Sequence, residues 1–323
     1  MFQLISLPLD RGTLSEYGSW QELRQEVHSL GCHGIEAVWG GDEIPGDFPK
    51  DLVVGYHMTF YPDWLDFYRE DKPALLRKFG SLDNAREFYG GWGPDRMLEI
   101  YREDLARAKA LGASYLVFHV SDVSLEEGYT YRWLHTHKEV LEASAEIVNR
   151  LLDGEDGRFD FLMENQWWPG FTMTDPEQTA YLLELVRYPK KGILLDTGHL
   201  MNANPDLQTQ AEGAAYIHRV LDAHGPLCRH IRGIHLHQSL SGAYVKAHTG
   251  RMPENFPSDY LQQFAVSYRH IQQIDQHRPW TDSTASDLIL RIVPQYLTHE
   301  LSASNRTHRL LAIQEQRRCL HVH

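Results

Sequence analysis

The chain has 323 residues, 42% of them hydrophobic, which is enough for a large folded core and argues against disorder. With 31 Lys and Arg residues against 44 Asp and Glu residues, the formal net charge is −13 at pH 7, which argues against duplex nucleic acid as a partner. Three widely spaced cysteines predict free thiols. The N-terminus lacks the features of a signal peptide and no segment has the apolar length of a membrane span, so we expect a cytoplasmic protein.

The sequence alternates between strand-like and helix-like segments. In chain order, the predicted strands are 2–7, 34–39, 52–58, 115–119, 159–164, 192–196, 231–237 and 296–300. The helical patterns lie at 19–30, 94–111, 138–152, from 176 onwards, and at 208–223, 260–274, 286–292 and 308–320. Repeated strand-then-helix units favour a parallel sheet. Eight such strands predict a closed (β/α)8 TIM barrel, formed as a single domain by residues 1–323.

Two connections between a strand and the next helix are unusually long, and both lie on the face where the barrel strands end. The first, at about 59–93, is rich in aromatic residues, and the second is a loop at about 238–257. Two interpretations of the first connection stay open. It forms either a small satellite core under a long loop or a lid or wall for a substrate. The second connection can also form a lid or a wall for a substrate.

Six of the predicted strands end on residue types that bind metal ions. The C-terminal ends of all strands in a parallel barrel lie on one face, where the active site is built. Residues that are far apart in sequence therefore converge there, and the pattern predicts a metal site. The strand-end residues are His57, His119, Glu164, Asp196 with His199 just beyond it, His235 with His237, and Glu300.

Oxygen and nitrogen ligands dominate this set, and no thiolate is among them. Such a mixture suits a divalent Mn, Co, Zn or Fe ion. The central ligands are three carboxylates and one imidazole, from Glu164, Asp196, His235 and Glu300.

Additional histidines allow more than one ion, so we expect one to three per chain. Because side chains alternate along a strand, His235 and His237 point the same way. One of them can bind metal while the other holds the substrate or a neighbouring carboxylate. The candidates for additional ligands are His57, His119, His199, His237 and His248.

At these residues the chain resembles the xylose isomerase-like barrel superfamily, which includes endonuclease IV and the ketose epimerases. The resemblance covers most of the chain in strand order and is sharpest at Glu164-Asn165, Asp196-Thr197-Gly198-His199 and Arg232-Gly233-Ile234-His235-Leu236. It implies that Glu164, Asp196, His235 and Glu300 form a common metal centre. His57 and Phe118-His119 are similar to the extra histidine ligands of the endonuclease branch, which generally hold additional zinc.

The chain departs from the endonuclease branch after the seventh strand. That branch binds its third metal with an Asp-x-His pair, and the matching stretch here reads Lys246-Ala247-His248. His237 stands where that branch carries an asparagine. In the epimerase branch, two glutamates that match Glu164 and Glu300 bind metal and move protons, and the residue matching His199 contacts the substrate. The chain therefore combines features of both branches.

Four further residues are candidates for substrate binding. Trp39, Trp167 and Trp168 lie at or just past strand ends, where an indole face can stack on a sugar ring or simply pack between loops. Glu36 is expected on the inner face of the second strand, where it either bonds a substrate hydroxyl or has a structural role. These assignments come from position alone.

Three functions are compatible with the sequence. The preferred hypothesis is a metal-dependent isomerase or epimerase of a sugar-like carbonyl compound, in which the metal stabilises an enediolate and Glu164 and Glu300 act as acid and base. The alternative is a multinuclear hydrolase, a phosphodiesterase or apurinic endonuclease, that uses a metal-bound hydroxide. A binding protein that has kept the barrel is the third. The expected partner is a small-molecule substrate, without nucleic acid or membrane, and a homo-oligomer stays open.

Overall fold

Each short apolar segment pairs in parallel with the next along the chain, and the last strand pairs with the first, so that the sheet closes into a barrel. The computed structural model describes residues 1–320, and the last three residues of the expected domain lie outside it. The closed, parallel eight-stranded sheet confirms the predicted (β/α)8 TIM barrel. The strands are β1 (Phe2–Leu9), β2 (Gly34–Trp39), β3 (Val53–His57), β4 (Tyr115–His119), β5 (Asp160–Glu164), β6 (Lys191–Asp196), β7 (Ile231–His235) and β8 (Tyr296–His299).

Helices cover the outside of the barrel and form most of its long connections. They are α1 (Arg11–Leu14), α2 (Trp20–Ser29), α3 (Leu65–Tyr68), α4 (Lys72–Phe79), α5 (Leu82–Phe88), α6 (Pro94–Leu111), α7 (Leu125–Thr130), α8 (His137–Leu151), α9 (Pro176–Leu185), α10 (Thr197–Asn202), α11 (Gln210–His224), α12 (Gly242–His248), α13 (Tyr260–Ile274), α14 (Thr284–Ile292) and α15 (Arg306–Cys319). Within residues 1–320, none of these helices is both long and apolar enough to cross a membrane.

The barrel interior is filled by apolar side chains below the strand ends. Because alternate residues of a strand share a face, the residue two positions after an interior side chain also points inward. Leu162 is thus followed by Glu164, and Leu194 by Asp196, so each carboxylate sits at the open end of the barrel directly above the core. The interior cluster consists of Leu4, Tyr115, Val117, Leu162, Leu194 and Tyr296.

Strand register brings these end residues to one level. His119 pairs with Glu164 across β4 and β5, and Asp196 pairs with His235 across β6 and β7. Neighbouring strands of a sheet lie about 4.8 Å apart. Side chains that start from such paired positions and point to the same face can reach a common ion.

The aromatic connection after β3 packs largely on itself. The ring of Phe67 stacks on Tyr89 with centroids 3.9 Å apart, and Phe79 and Phe88 both contact Tyr260 of α13. This segment therefore forms a satellite core that ties the β3 connection to the β7 connection. Its first residues remain beside the strand ends, where Phe60 contacts His119.

A buried carboxylate attaches this segment to the barrel. Asp122 follows β4, and its Oδ1 accepts hydrogen bonds from the backbone N–H groups of Trp64 at 2.8 Å and Leu65 at 2.9 Å. Burial and the nearby Asp63 carboxylate raise the pKa of Asp122 to about 7, although Lys78 opposes the shift. The protonated form is therefore favoured in the folded protein well above the pH at which an unfolded Asp ionises.

We expect Asp122→Asn to become more stable relative to the parent protein as the pH rises from 5 to 8. The native Asp122 keeps its proton up to about pH 7, while the unfolded carboxyl loses it near pH 4. Between these values unfolding releases a proton, so this group makes stability fall as the pH rises, and above pH 7 the full penalty remains. Asn carries no charge and retains an acceptor oxygen for the two N–H groups. Urea unfolding at pH 5 and pH 8 measures the effect.

The exposed Asp153 offers a matched control for this experiment. Asp153→Asn should follow the parent protein at both pH values. If Asp122→Asn also follows the parent protein at both values, the raised pKa of Asp122 is refuted.

Candidate metal centre

Four strand-end residues from the sequence prediction meet at the centre of the barrel mouth. Each offers one ligand atom, and these atoms all lie within 4.8 Å of one another. His235 Nδ1 lies 2.9 Å from Glu300 Oε2, 3.5 Å from Glu164 Oε1 and 3.7 Å from Asp196 Oδ2. We call Glu164, Asp196, His235 and Glu300 the central cluster.

Two further histidines approach the same glutamate from the other side. His119 Nε2 lies 3.0 Å and His57 Nε2 lies 3.3 Å from Glu164 Oε2, and the two imidazole nitrogens are 3.1 Å apart. These three residues also satisfy the geometry of a metal site. We call His57, His119 and Glu164 the histidine cluster. Glu164 thus belongs to two clusters through its two oxygens.

A third cluster lies beside Asp196 and contains two residues that the sequence analysis missed. His199 Nε2 lies 3.1 Å from Asp275 Oδ2, which also lies 2.6 Å from His277 Nε2. His237 completes the group, its ring stacked on His277 with centroids 3.9 Å apart. We call His199, His237, Asp275 and His277 the outer cluster.

Local structure explains how residues so far along the chain from β7 reach this position. Asp275 is the C-terminal cap of α13, and its backbone N–H bonds the carbonyl of Ile271. Just beyond, Arg278 and Gln238 form an antiparallel bridge with backbone hydrogen bonds of 2.8 and 3.0 Å. The bridge returns the chain to the end of β7 and carries His277 to the strand ends. The Asp-x-His spacing of Asp275 and His277 was the available sequence signal.

His248, which the sequence analysis proposed as a ligand, does not lie with any of the three clusters. It is the last residue of α12, where its ring stacks on Tyr244 with centroids 4.1 Å apart and its Nδ1 lies 3.0 Å from the carbonyl of that residue. The correction has a simple physical reason. The Lys246-Ala247-His248 segment is helical, and α12 directs His248 toward Tyr244 instead of toward the strand ends.

The three clusters fit divalent metal ions. With metal–ligand bonds of 2.0 to 2.2 Å, the ligand atoms of one tetrahedral ion lie about 3.3 to 3.6 Å apart, close to the spacings observed. Both oxygens of Glu164, His235 Nδ1 and Glu300 Oε2 are buried and have no hydrogen bond of good geometry within residues 1–320. Buried carboxylates without such partners are expected to pair with a cation. The identity and number of the ions remain predictions.

Electrostatics in the clusters favour positive charge. Burial lowers the pKa of His57, but Glu164 outweighs this effect and the pKa rises to about 9. His277 is half-buried, and although burial lowers its pKa, Asp275 raises the pKa to about 10. Burial would raise the pKa of Glu300, yet His235 lowers it to about 2. Carboxylates therefore stay ionised at neutral pH and hold a field that attracts cations.

The family of the chain follows from its similarity to known proteins. A family model described as the xylose isomerase-like TIM barrel matches residues 24–282. The chain belongs to this family. Residues 24–282 span β2 to β7 and therefore all of the histidine and outer clusters, and the central cluster except Glu300.

Solved structures of this barrel family share the fold at low sequence identity. Endonuclease IV from Thermus thermophilus is 13% identical, with 99% of this chain and 98% of that chain covered and a TM-score of 0.50. D-allulose 3-epimerase from Methylomonas sp. is 12% identical, with 98% and 95% covered and a TM-score of 0.54. An L-ribulose 3-epimerase is 13% identical, with 97% and 92% covered and a TM-score of 0.52. Identities this low show the common barrel alone.

In this member of the family, Glu36 supports the central cluster from below. From its sequence position alone, Glu36 could contact substrate or be structural. It is fully buried, lies 3.0 Å from His235 Nε2 and accepts a hydrogen bond of 2.5 Å from the hydroxyl of Tyr115. A carboxylate on the far nitrogen of a metal-binding histidine fixes the ring and makes it a stronger ligand.

Glu36→Gln is expected to weaken metal binding by about 10- to 100-fold, the usual effect of losing such a supporting carboxylate. The neutral amide of Gln is a weaker hydrogen-bond acceptor than the carboxylate of Glu36. It therefore holds the His235 ring less firmly. Titration of the metal-free protein with zinc, with a competing chelator, measures the affinity. An unchanged affinity would show that Glu36 does not orient His235.

A cavity of about 430 Å³ opens above the clusters, on the face where the barrel strands end. Trp39, Trp167 and Trp168 line it, together with residues of all three clusters. The tryptophans therefore lie where the sequence analysis placed them, and their contact with substrate remains a prediction. The same cavity is bordered by Phe60 of the β3 connection and Tyr268 of α13.

Proposed function

We propose that this protein is a multinuclear metal-dependent hydrolase that cleaves a phosphoester bond. One observation carries the proposal: Asp275 and His277 lie beside His199, so that a third ligand group adjoins the other two. An isomerase that chelates one ion needs only the central cluster. Sets of neighbouring ions are typical of enzymes that displace a group at phosphorus.

The contacts of Glu164 also favour hydrolysis over isomerisation. The isomerase hypothesis requires Glu164 to exchange a proton with substrate carbon. Here Oε2 faces His57 and His119 while Oε1 faces His199 and His235, all between 3.0 and 3.5 Å. A carboxylate with both oxygens directed to ligand groups is suited to bridging two ions and has no oxygen left for proton transfer.

Residues between the clusters would organise the reaction. Asp196 Oδ2 lies 2.8 Å from His237 Nε2 and 3.7 Å from His235 Nδ1, so it links the central and outer clusters as Glu164 links the central and histidine clusters. When bound, divalent ions supply a lowered pKa for a coordinated water and neutralise charge on a phosphoryl group. Glu164, which is shared between two clusters, and Asp196, which lies against His237 of the outer cluster, would hold the ions. His237 and Asp196 hold each other in orientation.

The test combines metal analysis with two activity assays. Purified protein, loaded with zinc or manganese, should contain more than one ion per chain and hydrolyse bis(p-nitrophenyl) phosphate. His277→Ala should lose one ion and most of the activity, while His248→Ala, a histidine outside the clusters, should keep both. One ion per chain with epimerisation of ketoses and no phosphodiester hydrolysis would overturn the proposal in favour of the isomerase.

A further inference from the structure

Apart from the histidines of the clusters, the walls of the cavity carry no positively charged side chains in the described part of the chain, because no Lys or Arg lines it. Phosphate-rich polymers are bound mainly through such side chains, which release counterions from the backbone. Charge on a phosphoryl group would have to be neutralised at the clusters, and the lining side chains outside the clusters are uncharged.

Outside the clusters, the polar, non-aromatic side chains on these walls are those of Thr59, Gln166, Gln272 and Ser302, and the first two already have partners. Thr59 bonds Asp104 through its backbone N–H and its hydroxyl, and the amide of Gln166 lies 3.0 Å from His199 Nδ1. A polyol would leave several hydroxyls without partners on such walls, at a cost of about 1 to 3 kcal/mol for each buried group. An apolar group has no such requirement.

Aromatic rings lead from the histidine cluster to the solvent. Phe60 contacts the His119 ring with centroids 4.5 Å apart and is still 44% exposed. Across the mouth, Tyr268 lines the same cavity and is 57% exposed. Two large rings from separate segments, exposed and continuous with one cavity, form the kind of apolar surface that marks a binding site.

Deeper in the cavity, Trp167 and Trp168 are buried against each other with ring centroids 4.2 Å apart. The buried indole N–H of Trp168 has no hydrogen-bond partner within residues 1–320. A buried donor of this kind requires an acceptor, which a substrate oxygen can supply. The lining therefore combines an unpaired indole N–H inside with aromatic rings outside.

We propose that the substrate is a small phosphodiester with a bulky, uncharged, apolar organic group that Phe60 and Tyr268 hold at the mouth of the cavity. This inference rests on the proposed function. In the reaction, the oxygen of water bonds to phosphorus, the bond from phosphorus to one ester oxygen breaks, and a proton from the water ends on the departing oxygen. The products are a phosphate monoester and an alcohol.

The experiment compares two substrates that share one leaving group. Phenyl p-nitrophenyl phosphate and methyl p-nitrophenyl phosphate both release p-nitrophenolate, so their rates differ only through the retained group. The zinc-loaded protein should prefer the phenyl ester by at least tenfold in kcat/KM. Phe60→Ala and Tyr268→Ala should each reduce this preference several-fold, mainly through KM, with unchanged metal content. Leu261→Ala, which removes an exposed apolar side chain from the same helix as Tyr268, should retain the preference.

Two outcomes overturn the inference: equal use of both esters by the parent protein, or faster cleavage of an apurinic oligonucleotide than of the phenyl ester.

A binding measurement without turnover separates this inference from the proposed function. Diphenyl phosphate and dimethyl phosphate can be titrated while the fluorescence of the cavity tryptophans is followed. Tighter binding of diphenyl phosphate that Phe60→Ala weakens, in a protein that hydrolyses neither ester, would support the apolar site and refute the hydrolase. Equal binding of both would refute the apolar site.

Discussion

Glu164→Gln is expected to lower phosphodiester hydrolysis by at least about a thousandfold, which corresponds to roughly 4 kcal/mol of transition-state stabilisation. Glu164 is fully buried and its two oxygens face the histidine and central clusters. The amide of Gln is neutral and presents one oxygen, so it cannot serve both clusters. Metal content per chain should fall together with the activity, as measured by elemental analysis and by the rate of p-nitrophenolate release.

The surface residue Glu184 provides the control, because it is exposed and lies on α9 away from the strand ends. Glu184→Gln should retain both metal and activity. If Glu164→Gln loses metal but hydrolyses at the parent rate, the clusters are not the site of the reaction. If it keeps its metal and its activity, the bridging role of Glu164 is wrong.

Removing the metal is expected to destabilise the whole fold. The clusters contain the buried or nearly buried carboxylates Glu164, Asp196, Asp275 and Glu300. Without an ion, their charge is balanced by the imidazoles beside them. Binding to the native state alone stabilises it by about 4 kcal/mol when free metal is a thousandfold above the dissociation constant. Thermal unfolding should therefore shift to lower temperature by several degrees after chelation and return when zinc is added.

Variants identify which cluster carries this stabilisation. His277→Ala should show a smaller zinc-dependent shift of the unfolding temperature, since it retains the central and histidine clusters. His248→Ala should show the full shift. A metal-free protein whose unfolding temperature does not change on addition of zinc or manganese would contradict the metal centre.

Much of the fold and the core of the candidate site could be predicted from local patterns. Strands β2 and β4 and helices α6 and α13 have the predicted bounds, and the other predicted elements differ by one or two residues at their ends. The short helices of the long connections, such as α3, α4 and α5, were not predicted. Strand-end ligands such as Glu164 and His235 were predictable because two rules act together. Side chains alternate along a strand, and a closed parallel barrel places every strand end on one face.

Residues outside the strands could not be placed in this way. Asp275 and His277 follow β7 by about 40 residues, and their position depends on the direction of α13 and on the bridge between Gln238 and Arg278. Both are tertiary features without a local period. His248 had a suitable residue type and an expected spacing, but α12 turns it toward Tyr244.

The barrel, the face that carries the candidate site and the candidate ligands at the strand ends were predictable from the chain alone, because they depend on the two-residue repeat of side chains along a strand and on strand order. Tertiary structure alone decided that Glu36 lies against His235, since the two residues meet across the barrel from β2 and β7. It also decided which residues form the outer cluster and that Phe60 and Tyr268 lie at the mouth of the cavity. Long connections reach their positions by packing against one another. Local sequence patterns do not predict such contacts, because the contacts join residues that are far apart in the chain.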